Sequence, residues 1–394
     1  MKPAARAQAA IEILDQVIAA AREAGPAADT IISAYFKTRR YAGSKDRRAV
    51  RELVYRTVRR SGERPASGRA AFLGLASEEP ELASLFDGSP HGPASWSADE
   101  EVASAGIVPE WLRERFDPLV DEGEWPALLE RAPLDLRVNR LKGDVAQVQS
   151  LLPEAAPTPL SPLGLRLPEG SRVEEHQAWQ SGLVEVQDEG SQLLALGCGA
   201  APGALVVDLC AGAGGKTLAL AAEMATGGSI IASDTDRGRL GRMRPRLERA
   251  GVSIVDTRLL NSGAELKPLQ DVKGRADIVL IDAPCSGTGT WRRNPETRWR
   301  LTPNRLASLV KLQAHLLDLA TELVRPGGFV VYAVCSLLEE EGRRQAEAFG
   351  SRRSAFIWQA FPIEFGRASG PGRLLTPAHD GTDGFFVARW QAPC

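Results

Sequence analysis

The first sixty residues of the chain carry apolar side chains at helical spacing. The first pattern ends at Gly25-Pro26, a pair that stops a helix, and a second pattern begins at Ile31. A third follows residues 43–46, where Ser44 or Asp46 can cap the first turn of a helix. The apolar positions of the first pattern are Ile11, Leu14, Val17, Ile18 and Ala21. This spacing predicts an all-helical N-terminal unit.

The hydrophobic pattern changes in the middle of the chain. From Arg64 the helical period weakens, and residues 87–96 are rich in glycine and proline, which is typical of a loop or linker. Helical signals resume over residues 108–116. Between residues 134 and 186, short apolar segments alternate with turns and with one helical stretch near 145–152. We predict a small α/β unit there.

Beyond Gly190, apolar strands and helices alternate regularly, which is the pattern of a doubly wound α/β domain. A final pair of strands lacks the long helical crossover that parallel neighbours need, so we predict an antiparallel hairpin at the sheet edge. The predicted parallel strands are residues 204–210, 229–234, 253–258, 276–282 and 328–335, and the final pair is 355–361 and 384–390.

The overall charge does not indicate a nucleic-acid partner, since the 394 residues carry a formal net charge of -2. A neutral total can still hide a local basic face. Arginines are dense over residues 237–249, where a solvated helix face is the simplest interpretation. They are also dense over residues 291–305, where Trp291 and Trp299 lie among them. Aromatic rings between cations suit stacked bases and phosphates, so the second stretch is an RNA-binding candidate.

The five cysteines include no C-x-x-C pair and no nearby histidine set, which argues against structural zinc, and an odd count argues against a disulfide framework. Acidic Glu12 and Asp15 interrupt the only apolar stretch near the N-terminus, and no 18 consecutive residues are apolar. We expect a cytoplasmic protein with reduced thiols, no metal and no membrane partner, and a monomer by default.

A glycine-rich turn follows the first predicted strand, in Asp208-Leu-Cys-Ala-Gly212-Ala-Gly214-Gly215-Lys216-Thr217. It matches neither the phosphate-binding P-loop nor the dinucleotide G-x-G-x-x-G pattern. Glycines allow a ligand close to the backbone, and Asp234, which ends the next strand, can accept hydrogen bonds from ribose hydroxyls. These features favour S-adenosylmethionine, although a tight turn of any α/β protein gives a similar sequence.

Two cysteines each follow a predicted parallel strand, Cys285 in Asp282-Ala-Pro-Cys285 and Cys335 in Tyr332-Ala-Val-Cys335. Because ligands bind at the carboxyl ends of strands in open α/β sheets, both thiols should face one crevice. Methylation of a pyrimidine at carbon 5 can use two thiols, since a thiolate must first add to carbon 6 to make carbon 5 nucleophilic. The alternatives are buried apolar thiols, and for Asp282 a helix cap.

With these motifs assembled, the chain resembles the RsmB/Sun type of RNA cytosine-5 methyltransferases, from about Leu134 to the C-terminus. Besides the glycine turn and the two cysteine motifs, the shared motifs are Arg137-Val-Asn139, residues 186–192, Arg293-Asn-Pro295, Leu312-Gln313 and residues 383–386. The N-terminal helices are similar to the NusB-like domain that such proteins carry.

The resemblance implies an α/β fold with a Rossmann-like, seven-stranded S-adenosylmethionine methyltransferase domain at residues 193–394. A small α/β RNA-binding subdomain at 126–192 and a shortened helical NusB-like domain at 1–125, with a linker near 85–105, would precede it. It also implies that Cys335 is the nucleophile, that Cys285 helps to release product, and that Asp282 lies near both cofactor and base.

The implied cofactor contacts, to S-adenosylmethionine, are Cys210, Ala211, Gly212, Ala213, Gly214, Gly215, Lys216, Asp234, Arg239, Asn261 and Asp282. Among these, Asn261 stands where an aspartate is expected after the third strand, and Gly212-Ala213 stands where the family commonly has Ala-Pro. The predicted RNA contacts are Arg137, Asn139, Arg292, Arg293 and Arg298.

The predicted activity is formation of 5-methylcytosine through a cysteine adduct at carbon 6. We favour 16S rRNA as substrate because of the NusB-like resemblance, with tRNA as the alternative. A non-catalytic RNA-binding ribosome assembly factor with the same fold is a further alternative. A small-molecule methyltransferase fits poorly, because it has no use for an added helical domain and a Trp/Arg stretch.

Overall fold

The computed structural model describes residues 1–23 and 25–394, and the chain forms two compact units. The helical unit contains residues 1–116, 121–131 and 286–305, and the sheet unit contains residues 117–120, 132–285 and 306–394. The predicted boundary at residue 193 does not separate compact units, because the small α/β region clusters with the large sheet. Residues 286–305, predicted to lie in the catalytic domain, instead pack with the N-terminal helices.

The helical unit confirms the predicted N-terminal helices. Ile13, Leu14 and Val17 of the first helix are fully buried against Val54 and Phe72. The first and fourth helices cross closely, since a Cβ at Gly68 would lie 2.3 Å from the Ile11 carbonyl oxygen. Its α-helices are α1 (Pro3–Arg22), α2 (Ala28–Lys37), α3 (Ser44–Arg60), α4 (Gly68–Glu78) and α5 (Pro80–Ala83).

The sheet unit begins with a small antiparallel sheet of four strands in the order β2-β3-β1-β4. Leu136, Val148 and Leu165 form part of its own buried core. The elements are β1 (Leu134–Val138), α6 (Val145–Leu151), β2 (Ala156–Pro157), β3 (Gly164–Leu167), α7 (Gln177–Gln180) and β4 (Val184–Val186). The α/β unit predicted between residues 134 and 186 is therefore present.

The large sheet has a Rossmann-like centre of five parallel strands, in the order β7-β6-β5-β8-β9. Its strands are β5 (Leu205–Asp208), β6 (Ser229–Asp234), β7 (Val255–Leu259), β8 (Ala276–Asp282), β9 (Val324–Val334), β10 (Ile357–Trp358), β11 (Arg367–Ser369), β12 (Gly372–Leu375) and β13 (Phe385–Gln391). Its helices are α8 (Glu189–Gly197), α9 (Gly215–Glu223), α10 (Arg237–Ala250), α11 (Pro303–Leu323), α12 (Arg343–Arg352) and α13 (Pro377–Asp380).

The predicted terminal hairpin is correct in its pairing and wrong in its place. β10 pairs antiparallel with β13, as expected, but β13 also lies between β9 and β12. The edge is formed by the short β11–β12 hairpin, which the sequence did not predict. Seven strands from β12 to β7 form the expected methyltransferase sheet, and β10 and β11 are short additions.

The strand order places the candidate site. It reverses direction around β5, whose neighbours are β6 on one side and β8 on the other. Such a switch point, at the carboxyl ends of the strands, is where open α/β sheets bind ligands.

Within residues 1–23 and 25–394, no helix combines the length and apolar character needed to cross a bilayer. The cytoplasmic location stays a prediction.

Candidate active site

The two candidate thiols lie beside each other at the carboxyl ends of β8 and β9. These strands are parallel neighbours, with Asp282 opposite Ala333. Cys335 directly follows β9, and Cys285 follows β8 after the Ala-Pro step. Their sulfur atoms are 3.3 Å apart, and both side chains are half-buried. The expected single crevice therefore brings both thiols into contact, with access from outside.

The glycine turn between β5 and α9 leaves its backbone open. Gly212 and Gly214 adopt positive φ angles of 56° and 85°, in the left-handed region that favours glycine. A Cβ at Gly214 would lie 2.5 Å from Met243 Cγ, so a side chain is excluded there. At Gly212 and Gly215, a Cβ would meet no atom within 4 Å. A ligand can therefore approach this backbone closely, as the sequence predicted.

Two aspartates, Asp208 and Asp234, lie beside the glycine turn at the carboxyl ends of two strands. Asp208 ends β5, is buried, and accepts a hydrogen bond of 2.7 Å from Thr217 Oγ1, while its other oxygen has no hydrogen-bond partner in the structure. Burial raises the pKa of Asp208 to about 7, against the hydrogen bond from Thr217, which lowers it. Asp234 ends β6 and accepts a hydrogen bond of 2.9 Å from the Gly212 amide, so it braces the turn.

Lys216 connects the glycine turn to the thiols. It lies in the first turn of α9, and its Nζ donates a hydrogen bond of 2.7 Å to Asp282 Oδ2. Burial lowers the pKa of Lys216, but the negative charges of Asp282 and then Cys335 outweigh it, so the net pKa is raised. The site thus holds an ammonium group close to the Asp282 carboxylate and near Cys335.

The other predicted cofactor residues surround the same turn. Burial, followed by the charge of Asp208, raises the pKa of Cys210 well above its usual value, so this thiol is unsuited to nucleophilic attack. The Ala211 amide donates to Ser233 O, and Ala213 O accepts from Arg246. Arg239 and Asn261 are both exposed. Asn261 follows Leu260, whose amide donates to Asp234 O, which places Asn261 near the end of β6.

Two predicted RNA contacts in the small sheet have structural roles instead. Arg137 is buried and donates a hydrogen bond of 2.6 Å to Gln187 Oε1. Asn139 is buried and donates hydrogen bonds of 2.9 Å to the carbonyl oxygens of Gly182 and Ala250. Neither side chain reaches solvent, so the prediction that they bind RNA is wrong.

The Trp/Arg stretch is likewise part of the core of the helical unit. Arg298, only 1% exposed, donates to the backbone carbonyls of Val58, Arg59 and Ile107, and burial lowers its pKa to about 9. Trp299 donates to Ser61 O. Arg292 is also buried, so the predicted RNA contacts at Arg292 and Arg298 are wrong. Arg293 is half-buried, and its RNA contact stays a prediction.

Sequence reasoning missed a set of buried polar groups beneath the two thiols. Gln313 of α11 and Glu341 are fully buried, and Tyr332 of β9 donates a hydrogen bond of 2.6 Å to Glu341 O. Gln313 stood out only as part of a shared motif. Glu341 belongs to the run Glu339-Glu340-Glu341, which looks like a solvated charge cluster in sequence. Only the tertiary structure shows its burial.

A family model described as 16S rRNA methyltransferase RsmB/F matches residues 199–391, which span the large sheet and the whole candidate site. The chain is 38% identical over 298 residues to the ribosomal RNA small subunit methyltransferase B of Xylella fastidiosa strain 9a5c, covering 73% of this chain and 69% of that protein. It is 33% identical over 314 residues to a probable ribosomal RNA small subunit methyltransferase B of Synechocystis, covering 74% and 68%.

Among solved structures, the fold is similar to that of PH0851, with a TM-score of 0.76 and 23% sequence identity. The similarity covers 98% of each chain, so it extends over the helical unit as well as the sheets. At this identity the likeness concerns the fold alone.

Proposed function

We propose that this chain, which belongs to the RsmB/F family of 16S rRNA methyltransferases, forms 5-methylcytosine in 16S rRNA with S-adenosylmethionine as methyl donor. The observation that carries the proposal is the contact of two half-buried thiols, 3.3 Å apart, beside the pair formed by Lys216 and Asp282. A methyltransferase acting on an already nucleophilic nitrogen or oxygen has no need of this pair of thiols.

Covalent activation of the base follows from that pair. The thiolate of Cys335 adds to carbon 6 of cytosine, an S–C bond forms, and the electron pair moves to carbon 5, which becomes nucleophilic. Bound S-adenosylmethionine supplies the methyl group that carbon 5 takes. A base then takes the carbon 5 proton, the electron pair of that C–H bond re-forms the carbon 5–carbon 6 double bond, the S–C bond breaks, and Cys335 leaves as a thiolate. Cys285, in contact with Cys335, assists this last step.

Lys216 and Asp282 act on both the cytosine base and the Cys335 sulfur. The Asp282 carboxylate can accept a hydrogen bond from the exocyclic amine of cytosine, and Lys216 Nζ fixes its orientation from 2.7 Å. Lys216 also lies near Cys335, so its ammonium group can stabilise the negative charge that develops on the sulfur when the S–C bond breaks.

The glycine turn fits the cofactor. Open space at Gly212 and Gly215 admits a ligand against the backbone, and the unpartnered oxygen of Asp208 faces no protein donor. Asp234 and Asn261 would hold the ribose and adenine side, since carboxylate and amide oxygens accept from hydroxyl and amine groups.

Because Arg292 and Arg298 of the Trp/Arg stretch are buried, Arg293 alone cannot supply the RNA contacts, and others must lie elsewhere. Between residues 37 and 48, at the turn from α2 to α3, six cations stand against one acid, while the whole chain is slightly acidic. In the described part of the chain, five of these cations form no ion pair and are exposed: Lys37, Arg40, Lys45, Arg47 and Arg48. Tyr41, between them, is 73% exposed. This basic turn, residues 37–48, suits RNA phosphates and a stacked base.

Removing three cations from the basic turn should weaken RNA binding without affecting chemistry. We expect Arg40→Ala/Lys45→Ala/Arg48→Ala to raise KM for RNA at least about tenfold near physiological salt, with kcat and KM for S-adenosylmethionine unchanged. A variant with the same charge change elsewhere, Arg172→Ala/Lys267→Ala/Lys273→Ala, is the control. Steady-state kinetics at two salt concentrations measures both. Equal KM values for the two variants would exclude the basic turn as an RNA contact.

A methyl-transfer assay tests the proposed activity itself. The purified protein is incubated with S-adenosylmethionine carrying a tritiated methyl group and with either 16S rRNA or total tRNA from cells lacking this protein. We expect label in 16S rRNA, recovered as 5-methylcytidine after digestion to nucleosides. Label confined to tRNA would support the tRNA alternative, and S-adenosylmethionine binding without label in either RNA would support a non-catalytic assembly factor.

A further inference from the structure

A buried side-chain amide lies under the turn that carries Cys285. Gln313 of α11 is fully buried, and its Nε2 donates a hydrogen bond of 2.9 Å to the carbonyl oxygen of Pro284. Pro284 directly precedes Cys285, so this bond fixes the peptide unit from which the thiol projects. Proline also fixes its own φ angle, which leaves the Pro284 carbonyl as the group through which the turn is held.

The same amide reaches the turn that carries Cys335. Gln313 Nε2 also donates to Glu341 Oε1 at 2.9 Å, and Glu341 Oε2 accepts a hydrogen bond of 2.6 Å from Ser336 Oγ. Ser336 directly follows Cys335. Tyr332, near the end of β9, donates to the carbonyl oxygen of Glu341 and holds that residue in place. One chain of hydrogen bonds therefore runs from Pro284 through Gln313 and Glu341 to Ser336.

We propose that Gln313 and Glu341 are positioning residues that hold the Cys285 and Cys335 turns in register, so that both thiols reach one base. This inference rests on the proposed function and deepens it. Neither residue touches substrate. They act through Pro284 and Ser336, the neighbours of the two thiols in the chain, and not through the thiols themselves.

The physical reason is the cost of misplacing two groups that act on adjacent atoms. Cys335 bonds to carbon 6, and Cys285 must then act near carbon 5 of the same ring. A displacement of about 1 Å can cost a hundredfold in rate. The pairing of β8 with β9 ends at Asp282 and Ala333, with a hydrogen bond from the Ala283 amide to the Ala333 carbonyl oxygen, before either thiol is reached. The buried side chains extend the connection beyond the sheet.

The test compares two buried glutamines. In Gln313→Met the side chain keeps its size but donates to neither Pro284 nor Glu341. The control is Gln345→Met, because Gln345 is also buried and also donates to a backbone carbonyl, that of Val310, away from the thiol turns. We expect Gln313→Met to lower kcat for RNA methylation by at least about tenfold at unchanged KM for S-adenosylmethionine. Gln345→Met should lose similar thermal stability with little change in kcat.

An exchange variant separates positioning from stability. In Gln313→Glu/Glu341→Gln, residue 341 can donate to residue 313 and still accept from Ser336, so of the hydrogen bonds in the chain from Pro284 to Ser336 the one to Pro284 is lost. We expect its melting temperature to recover relative to Gln313→Met while kcat stays low and a covalent RNA adduct accumulates. A kcat that recovers together with the melting temperature would overturn the positioning role.

A measurement without RNA tests the inference independently of the proposed function. Diamide accepts two electrons and two protons from a pair of thiols, which become a disulfide, at a rate that depends on their proximity. Mass spectrometry of peptides measures the rate of Cys285–Cys335 bridging. We expect bridging in Gln313→Met to be at least about tenfold slower than in the wild type and in Gln345→Met. Equal rates in all three proteins would overturn the inference, even if the wild type proved not to methylate RNA.

Discussion

The Cys335→Ala variant is expected to lose methyl transfer to RNA by at least about a thousandfold, the loss typical of removing a nucleophile. Carbon 5 of cytosine does not attack a methyl sulfonium unaided, so the reaction needs the S–C bond to carbon 6. Without the Cys335 sulfur, no covalent complex forms either. Tritium transfer to 16S rRNA measures the first effect, and denaturing gel electrophoresis of protein with RNA measures the second.

The matched control for this variant is Cys198→Ala. Cys198 directly follows α8, is fully buried, and its thiol donates a hydrogen bond to Leu194 O. Its removal should cost stability but leave methyl transfer and adduct formation close to the wild-type level. Binding of S-adenosylmethionine, measured by calorimetry, should survive in both variants, because Cys335 lies beyond the glycine turn. Methylated RNA from Cys335→Ala at more than a few per cent of wild type would contradict the nucleophile role.

The Cys285→Ala variant is expected to keep the attack on carbon 6 and to lose the release of the methylated RNA. It keeps Cys335, and with it the addition to carbon 6, but loses the partner that assists release. We expect a protein–RNA complex that survives denaturation, methyl groups transferred at most once per protein, and turnover reduced at least about a hundredfold. The amount of gel-shifted protein with time, in the presence of S-adenosylmethionine, reports this trapping.

The comparison of Cys285→Ala with Cys285→Ala/Cys335→Ala provides the control. The double variant should form no complex, because the attacking sulfur is gone. The assignment would be refuted by a complex that persists in the double variant, or by one that appears in Cys335→Ala and not in Cys285→Ala. The second outcome would exchange the roles of the two thiols.

Most of the fold could be predicted from the hydrophobic pattern. Central parallel strands such as β6 and β8 are buried on both faces, so their centres are apolar runs, residues 230–232 and 278–281, that lie just before Asp234 and Asp282. The β11–β12 hairpin was missed because its strands are short and contain Gly372 and Arg373 in place of an apolar run. The position of residues 286–305 was missed because long-range packing, and not local sequence, decides which core a loop joins.

The site residues that the sequence predicted best are those whose positions are determined by the ends of strands. Cys285, Cys335 and Asp282 follow strands whose order determines that they meet, so their proximity follows from topology. The RNA contacts failed for the opposite reason. Arg298 and Asn139 look like surface residues in sequence, but each satisfies buried backbone carbonyls, a role that depends on residues far away in the chain. Glu341 was missed for the same reason.

The order of the two thiols is tested most directly by locating the RNA on the trapped protein. The Cys285→Ala complex is digested with protease and nuclease, and tandem mass spectrometry identifies the residue that carries the cytidine nucleotide. The proposed mechanism predicts a methylated cytidine adduct on the Cys335 peptide and on no other. An adduct on another cysteine, or no adduct on Cys335 while turnover continues, would contradict it.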